Sequence, residues 1–582
     1  MCGIAGIISK NPDNQAYLTS LHDALNSIKH RGPDSKKTAI YPHAALGHVR
    51  LSIIDLNETA NQPMISNCGR YTIVYNGEVY NYLEIREKIK HRYDFKTNSD
   101  TEVILAYYVL EGKEILNDLN GMFAFAIWDN QKQMLFGARD RFGVKPFYYS
   151  IKTNGDFVFA SEIKALHESK WIPKYDNLKI WAQYLVDGIY DHTDETFFEG
   201  IYQISAGSCF SIDVKQSTKP QISKWYYGLN DISIDTREQQ VIEEELLFLL
   251  EDSVRLRFRA DVPIGLCLSG GLDSSLLFAL IQKVKDKEFP IHAFTFYTGD
   301  NNYDELPWVN QVLENTSAIH HKCLLKPLHV MERAKDIQYF MDGPYGGVPT
   351  IGMNRVFEEA HKQGIKVLLD GNGMDEAWGG YEYYQRLDSV SLAQGPVQGA
   401  KEIISNSNFL TSTILNHYKP WEAPNYSRDS LINAQILDLM HRKIPRGMRF
   451  ADRNSMRYSV ELREPFLDYR IVELGLKQPY WFKLNQREGK YLVRNVANKL
   501  MPNGVDEAPK RPVQTPQREW FRGELFEWLN MEFSNSDLDI INLKNAKKAL
   551  ERYKKNPKDN SFYLWQICAT CRINFHIKRD KN

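Results

Sequence analysis

Two folds in series are predicted by this sequence: an α+β domain of mostly antiparallel sheet, then an α/β domain built on a parallel sheet. Three observations carry the prediction. The chain has 582 residues, too many for one hydrophobic core. Its first part, roughly 170 residues, breaks into short apolar runs of β character with only brief helical patterns between them. Farther on, longer strand–loop–helix units alternate, an order that places helices on both faces of a parallel sheet.

Composition narrows the class. Hydrophobic content is 43% and charged content 25%, ordinary for a globular enzyme. Lys and Arg total 72 against 73 Asp and Glu, a net charge of −1, which argues against a protein built mainly to hold nucleic acid. Seven scattered cysteines make no disulfide framework. No apolar run of about 18 residues is found, so no membrane span is expected. The short apolar start, with no basic segment before it, does not read as a secretory signal. A reducing cytoplasm is the expected location.

In chain order, strands are predicted at 3–8, 44–51, 71–75, 122–128, 134–138 and 157–160, and helices at 17–29, 82–90 and 101–111. Polar punctuation lies between them. His30-Arg31-Gly32-Pro33-Asp34 follows the first helix, and Arg50 closes a strand. Asn76-Gly77 opens a predicted turn reaching Asn81, since Asn-Gly favours hairpins. Ser99, before Asp100 and Glu102, reads as a helix N-cap. From about residue 171 an adjunct follows, with a helix near 178–185 and hairpin-like text at 197–201 and 208–212. A boundary between 221 and 237 divides the chain into domains 2–225 and 226–582. The second begins with a helix at 238–259 and a strand at 262–268. Ser269-Gly270-Gly271-Leu272-Asp273-Ser274-Ser275 and a helix to 283 come next. Strands at 291–296 and 365–369 flank a helix at 304–314, and the last strand ends in Asp370-Gly371-Asn372-Gly373-Met374-Asp375-Glu376.

Two features carry chemistry on their own residues. Met1 precedes Cys2, a small residue that permits methionine removal, and Cys2 would then hold its thiol and a free α-amine together. That amine has an ordinary pKa of about 7.7–8.0, low enough to help deprotonate the thiol, and the thiolate is the nucleophile. Cys2 alone is equally a small strand residue. The Ser269–Ser275 loop between strand and helix suits phosphate, which backbone N–H groups and a helix N-terminus can face. It is not a Walker loop, for no Gly-Lys-Ser/Thr follows. Asp273 and Asp375, brought toward one another at strand ends, are candidate oxygen ligands for Mg²⁺.

Cys2 and the motifs at 30–34, 50–55, 76–81 and 99–102, joined by Asp140-Arg141-Phe142-Gly143-Val144-Lys145-Pro146 and Ala160–Leu166, resemble the glutaminase domain of class II (N-terminal-nucleophile) glutamine amidotransferases. The resemblance implies that Cys2 attacks the glutamine amide while the Asn76 side chain and the Gly77 N–H hold the oxyanion. Glycine there is expected to let the backbone approach the substrate. Arg50 would take the glutamine α-carboxylate, with Ile54 in the same pocket, and Glu78 and Asp100 its α-ammonium. The Ser269 loop resembles that of ATP pyrophosphatases, which split ATP into AMP and pyrophosphate. This implies an ATP site of Cys267, Ser269, Gly270, Gly271, Asp273, Ser274, Phe296, Asp370 and Gly371, with Mg²⁺ on Asp273 and Asp375. The stretch 452–468 and the Pro509-Lys510-Arg511 and Trp520–Gly523 segments resemble asparagine synthetases, where Lys510 would neutralise charge at the phosphoryl transition state.

In order along the chain, then, the sequence is similar to the glutamine-hydrolysing asparagine synthetases of bacterial type. The implied partners are glutamine, ATP and a carboxylate acceptor, with no nucleic acid and no membrane; a homodimer is an arrangement the resemblance allows. Ammonia released at Cys2 needs a sheltered passage between the sites. Departures bear on the acceptor. That family usually has Ser-Gly-Glu-Gly-Ser-Asp-Glu where this chain has Asp370–Glu376, so Asn372 replaces the expected general base and an amide cannot serve that way. Residues 512–515 also lack the usual Gly-Phe loop. Aspartate is the first expected acceptor, another carboxylate such as a uronic acid the second, and a non-catalytic relative the third. Cys568 and Cys571 have zinc-like spacing without a second ligand pair; a buried structural pair is expected. Tyr381, Tyr383 and Tyr384 are expected to pack, with a pocket role open to them.

Overall fold

Alternating side chains build the first half. In the computed structural model, which describes residues 1–11, 13–285, 290–389, 407–485, 489–501, 515–534, 538–556, 560–573 and 576, the strand Gly3–Ile8 turns Ile4 and Ile8 to one side and Ala5 and Ile7 to the other. It sits in a six-stranded antiparallel sheet that runs, edge to edge, Tyr202–Gln203, Tyr148–Ile151, Phe157–Ala160, Gly3–Ile8, Ala44–Arg50 and Ser35–Tyr41. A second such sheet runs Gln221–Lys224, Ser208–Asp213, Met134–Arg139, Gly121–Asp129, Tyr71–Val79 and Met64–Ile65. Ile4, Ile8, Leu46 and Phe159 of the first meet Val74, Ala124, Ala126 and Trp128 of the second in one apolar layer. The helix Asn14–Ser27 covers the outer face of the first sheet, and Tyr82–Ile89 and Asp100–Glu111 that of the second. The result is a four-layer αββα sandwich.

Two expectations are corrected. Asn76–Val79 is not a turn: the strand Tyr71–Val79 continues through it, pairing Asn76 with Ala124, Gly77 with Phe123 and Val79 with Gly121. Local Asn-Gly turn preference loses to a full antiparallel ladder. Nor is the segment from residue 171 an appendage, because its strands Ser208–Asp213 and Gln221–Lys224 extend the second sheet and Tyr202–Gln203 edges the first. The expected strand 3–8 and helix 82–90 recur as Gly3–Ile8 and Tyr82–Ile89.

In the second half five parallel strands lie in the order Ile319–Leu324, His292–Tyr297, Ile264–Cys267, Val367–Leu369 and Glu461–Arg463. Chain progression leaves Ile264–Cys267 in one direction for His292–Tyr297 and in the other for Val367–Leu369. That reversal opens a crevice at the carboxyl ends of those two strands, where ligands of such sheets bind. The two outer strands add to those expected; one is three residues long and the other carries His320, His321 and Lys322. Among the described residues no helix is long and apolar enough to cross a membrane.

Buried ion pairs join the halves. Arg31 donates to Asp452 Oδ2 and Oδ1 at 2.8 and 2.9 Å and to Glu162 Oε1 at 2.8 Å. Arg453 donates to the Ser161 carbonyl, and Asn120 Nδ2 to Asp468 Oδ2 at 2.9 Å. Buried ion pairs of this kind repay their desolvation only with close geometry and supporting hydrogen bonds.

Candidate functional site

Around Cys2 the first sandwich gathers its polar residues. The Cys2 backbone N–H donates to Asn76 Oδ1 at 3.0 Å. This fixes the Asn76 amide so that Nδ2 points away, and Nδ2 is buried with no hydrogen-bond partner among the described residues. A buried donor without an acceptor is costly and suits an oxygen brought by a ligand. The N–H groups of Tyr75 and Val79 leave the ladder for Gln62 Oε1 and Asp100 Oδ2. By strand alternation the Gly77 N–H between them faces the same open side. A Cβ on Gly77 would come 2.1 Å from the Met122 carbonyl oxygen. The neighbouring strand, rather than substrate approach, therefore demands glycine here.

Arg50 ends its strand inside a collar of carbonyls. Nη1 donates to Asn57 O at 2.8 Å and Asn61 Oδ1 at 3.0 Å, and Nη2 to Ile54 O at 3.3 Å and to Asp55 O. Ile54 thus positions the guanidinium through its backbone. A cavity of about 350 Å³ opens beside it, lined by Asp34, Lys37, Arg50, Ser52, Asn61 and Lys366 among others. Asp100, first residue of a helix capped by Ser99, accepts from Tyr75 Oη at 2.8 Å and Val79 N at 3.0 Å. Burial and then Glu461 push the Glu78 carboxyl well above its usual range. Its Oε2 accepts no hydrogen bond and lies 3.7 Å from Arg463 Nη2. Burial likewise raises the Cys2 thiol. Met1 is buried, its ammonium 2.5 Å from Glu461 Oε2, a link between residues too far apart in the chain for any local pattern to signal.

At the crevice of the parallel sheet, Ser269–Gly271 joins the strand Ile264–Cys267 to the helix Leu272–Val284. Ser274 Oγ accepts from the Ser269 N–H at 3.2 Å and pairs with Ser269 Oγ at 3.0 Å. Gly270 has φ +75°, and a Cβ there would meet Trp308 Cβ at 2.8 Å. Gly371 stands so close that its Cβ would be 3.1 Å from Asp273 Cβ; the two loops face one another as their placement at strand ends implies. Between them stands a residue that sequence reasoning does not single out. Lys490 Nζ lies 2.7 and 2.5 Å from the two Asp273 oxygens and 2.6 Å from Asp375 Oδ1. A Gly-Lys before a short helix carries no distinctive spacing, so only the fold reveals it.

Comparison with known proteins agrees with both halves. Residues 1–226 match the family described as Glutamine amidotransferase domain, and residues 245–576 the one described as Asparagine synthase. The chain is 30% identical to "Asparagine synthetase [glutamine-hydrolyzing] 1" of Bacillus subtilis, over 97% of this chain and 95% of that one. It is 27% identical to "Asparagine synthetase [glutamine-hydrolyzing] 3" of the same organism, over 94% and 92%. This chain belongs to the glutamine-hydrolysing asparagine synthetase family. It is therefore an ATP-dependent, glutamine-hydrolysing ligase with an N-terminal-nucleophile amidotransferase half and a parallel-sheet synthetase half.

Within this synthetase the remaining expected residues divide. Cys267 packs in an apolar cluster with Phe294, Cys323 and Leu368. Phe296 packs on Gly352, where a Cβ would come within 3.0 Å of the ring. Lys510 lies outside the described residues, as do 512–514. Two of the three departures in the Asp370 loop touch each other: Asn372 Nδ2 donates to Asp370 Oδ2 at 2.9 Å, and the Gly371 N–H to Asp370 Oδ1 at 2.7 Å. Burial pushes the Asp370 carboxyl up to about 6. Of the expected buried pair, Cys568 is buried in the helix Phe562–Cys571, whereas Cys571 at its end is only half-buried. The tyrosines pack as expected, in a cluster with Leu431, Ala434 and Leu484; in addition Tyr381 donates to Glu376 Oε1 at 2.6 Å, and Tyr383 and Tyr384 both donate to Asp438.

Proposed function

We propose that this synthetase makes L-asparagine from L-aspartate, with domains divided near residues 225 and 226. Cys2, freed of Met1, attacks the side-chain carbonyl carbon of glutamine, and the oxyanion meets Asn76 Nδ2 and the Gly77 N–H. Arg50 holds the α-carboxylate, and Glu78 and Asp100 hold the α-ammonium. The C–N bond breaks, ammonia leaves, and water hydrolyses the glutamyl thioester. In the crevice a carboxylate oxygen of aspartate attacks the α-phosphorus of ATP. Pyrophosphate departs and an acyl adenylate remains; ammonia adds to its carbonyl and AMP leaves.

One observation supports the placement of the nucleotide above others: two carboxylates, Asp273 and Asp375, converge at the switch point on a single ammonium. Carboxylate oxygens suit Mg²⁺, which when bound would neutralise phosphate charge on ATP. Asp273 and Asp375 would hold it, with Lys490 turning to the phosphates, and Lys510 adding a further charge.

The test is pyrophosphate release with MgATP and glutamine, comparing L-aspartate with uronic acids, free and nucleotide-linked. Aspartate-dependent pyrophosphate with equal asparagine is the expected result. Turnover only with a sugar acid would overturn aspartate as acceptor and make Asp370 and Asn372 the determinants of choice.

A further inference from the structure

The helix Ile444–Met456 immediately precedes the strand Glu461–Arg463 of the parallel sheet. It runs antiparallel to the strands, so its N-terminus lies at their carboxyl ends, on the ligand side. A π-turn, Asp438–Arg442, leads into it, a form of backbone frequent at functional sites. Two cations mark this end. Lys443 caps the helix, and Arg446 stands in its first turn. Neither has a carboxylate within ion-pair distance among the described residues, although both are partly buried. The nearby acids are already engaged: Asp438 by Arg442 at 2.9 Å and by Tyr383 and Tyr384, Glu376 by Tyr381.

Aromatic faces hold the two cations instead. Lys443 Nζ lies 4.9 Å from the Tyr381 ring centroid and 5.5 Å from that of Tyr383, two rings stacked 5.5 Å apart. The Arg446 guanidinium lies 6.0 Å from the Tyr190 ring, contributed by the segment from the first half. Burial, and next the charge of Arg446, lower Lys443 to about 8, outweighing the opposite pull of Asp438, which is itself paired with Arg442. The site adjoins the Asp375 loop. Gly380, one residue before Tyr381, is so close to Asp375 that a Cβ would overlap Oδ1 at 1.8 Å.

We infer that Lys443 and Arg446, with Tyr381 and Tyr190 as walls, form the subsite for a second anionic group of the acceptor. That group is a carboxylate or phosphate besides the carboxylate that is activated. Two cations and a helix N-terminus attract an anion, which would give them the directly paired partner that no described carboxylate provides. The inference rests on the acceptor reading above and deepens it: the acceptor is at least a dianion, held by its far end while the near carboxylate meets ATP.

Calorimetry in the presence of a non-hydrolysable ATP analogue tests it, with L-aspartate, succinate and a nucleotide-linked uronic acid as dianionic or polyanionic probes and β-alanine as the probe lacking the second acid. Lys443→Met and Arg446→Met are each expected to weaken the dianion the enzyme takes by about tenfold or more. Lys443→Arg should keep it within about threefold, and glutaminase activity and the KM for MgATP should stay unchanged in all three. The probe that binds identifies the second group as carboxylate or phosphate. Unchanged Kd in both methionine variants, equal weakening of β-alanine, or no anion bound by the wild type would overturn the subsite. Lysine-dependent dianion binding without asparagine formation would instead overturn only the aspartate reading.

Discussion

At the scale of single residues, the two sites make separable demands. Cys2→Ala is expected to abolish glutamine-dependent amidation and leave ammonia-dependent amidation intact; loss of both would join the two sites into one. Gly77→Ala forces a methyl onto the Met122 carbonyl, 2.1 Å from an ideal Cβ. Overpacking of that kind costs about 1–3 kcal/mol, to be read as a lower urea midpoint together with lost glutaminase activity. Lys490→Met leaves Asp273 and Asp375 facing each other without their shared ammonium. Its expected effect is a fall of about 10²–10³-fold in ATP-dependent pyrophosphate formation, with glutamine hydrolysis preserved. Retention of pyrophosphate formation would remove Lys490 from the nucleotide site.

Elements are tied down by buried charge. Asp468 caps the helix Tyr469–Leu476 and is fully buried, 3.1 Å from Arg257 and 2.8 Å from Arg470. Burial alone would raise its carboxyl, but Arg257 and Arg470 outweigh it and hold the group well below the usual range. A depressed carboxyl contributes stability above its unfolded value of about 3.9 and loses it as pH falls through the folded one. Asp468→Asn should therefore cost about 3–5 kcal/mol at neutral pH. The difference from wild type should shrink as acid titrates the aspartate, which denaturation at pH 7 and at pH 3 compares directly.

For the whole molecule, the Arg31–Asp452 link ties the chain beside the nucleophile to the helix Ile444–Met456. Arg31 Nε also donates to the Cys2 carbonyl at 2.9 Å, so one guanidinium touches both halves. A double-mutant cycle with Arg31→Met and Asp452→Leu is expected to show a coupling energy of about 0.5–3 kcal/mol in stability. Additive effects would mean that the halves are joined elsewhere.

Much of this architecture is legible in the amino-acid sequence. The motif around Cys2, the Ser269 loop and the acidic end of the strand Val367–Leu369 are local patterns, because a strand-to-helix loop carries its glycines and hydroxyls within a few residues. The strand that begins at Tyr71 runs farther than its sequence suggests, because Asn-Gly has a turn preference that a nine-residue antiparallel ladder overrides. The edge strands Ile319–Leu324 and Glu461–Arg463 escape sequence reasoning, since a short or polar strand gives no apolar run.

By itself the sequence determined the order of the two domains, their fold classes and the chemistry of the residues at each motif, since these depend on neighbours along the chain. Only the tertiary structure decided which distant residues share a site. It set Lys490 between Asp273 and Asp375, joined Asn372 to Asp370 and paired Met1 with Glu461. It also placed Lys443 and Arg446 against aromatic rings at the ligand side of the sheet, with no carboxylate partner among the described residues. The physical reason is range. Helix, strand and loop preferences act over a few residues, whereas charge pairing and close packing are settled by what the folded sheets bring within a few ångströms, however far apart those residues lie in the chain.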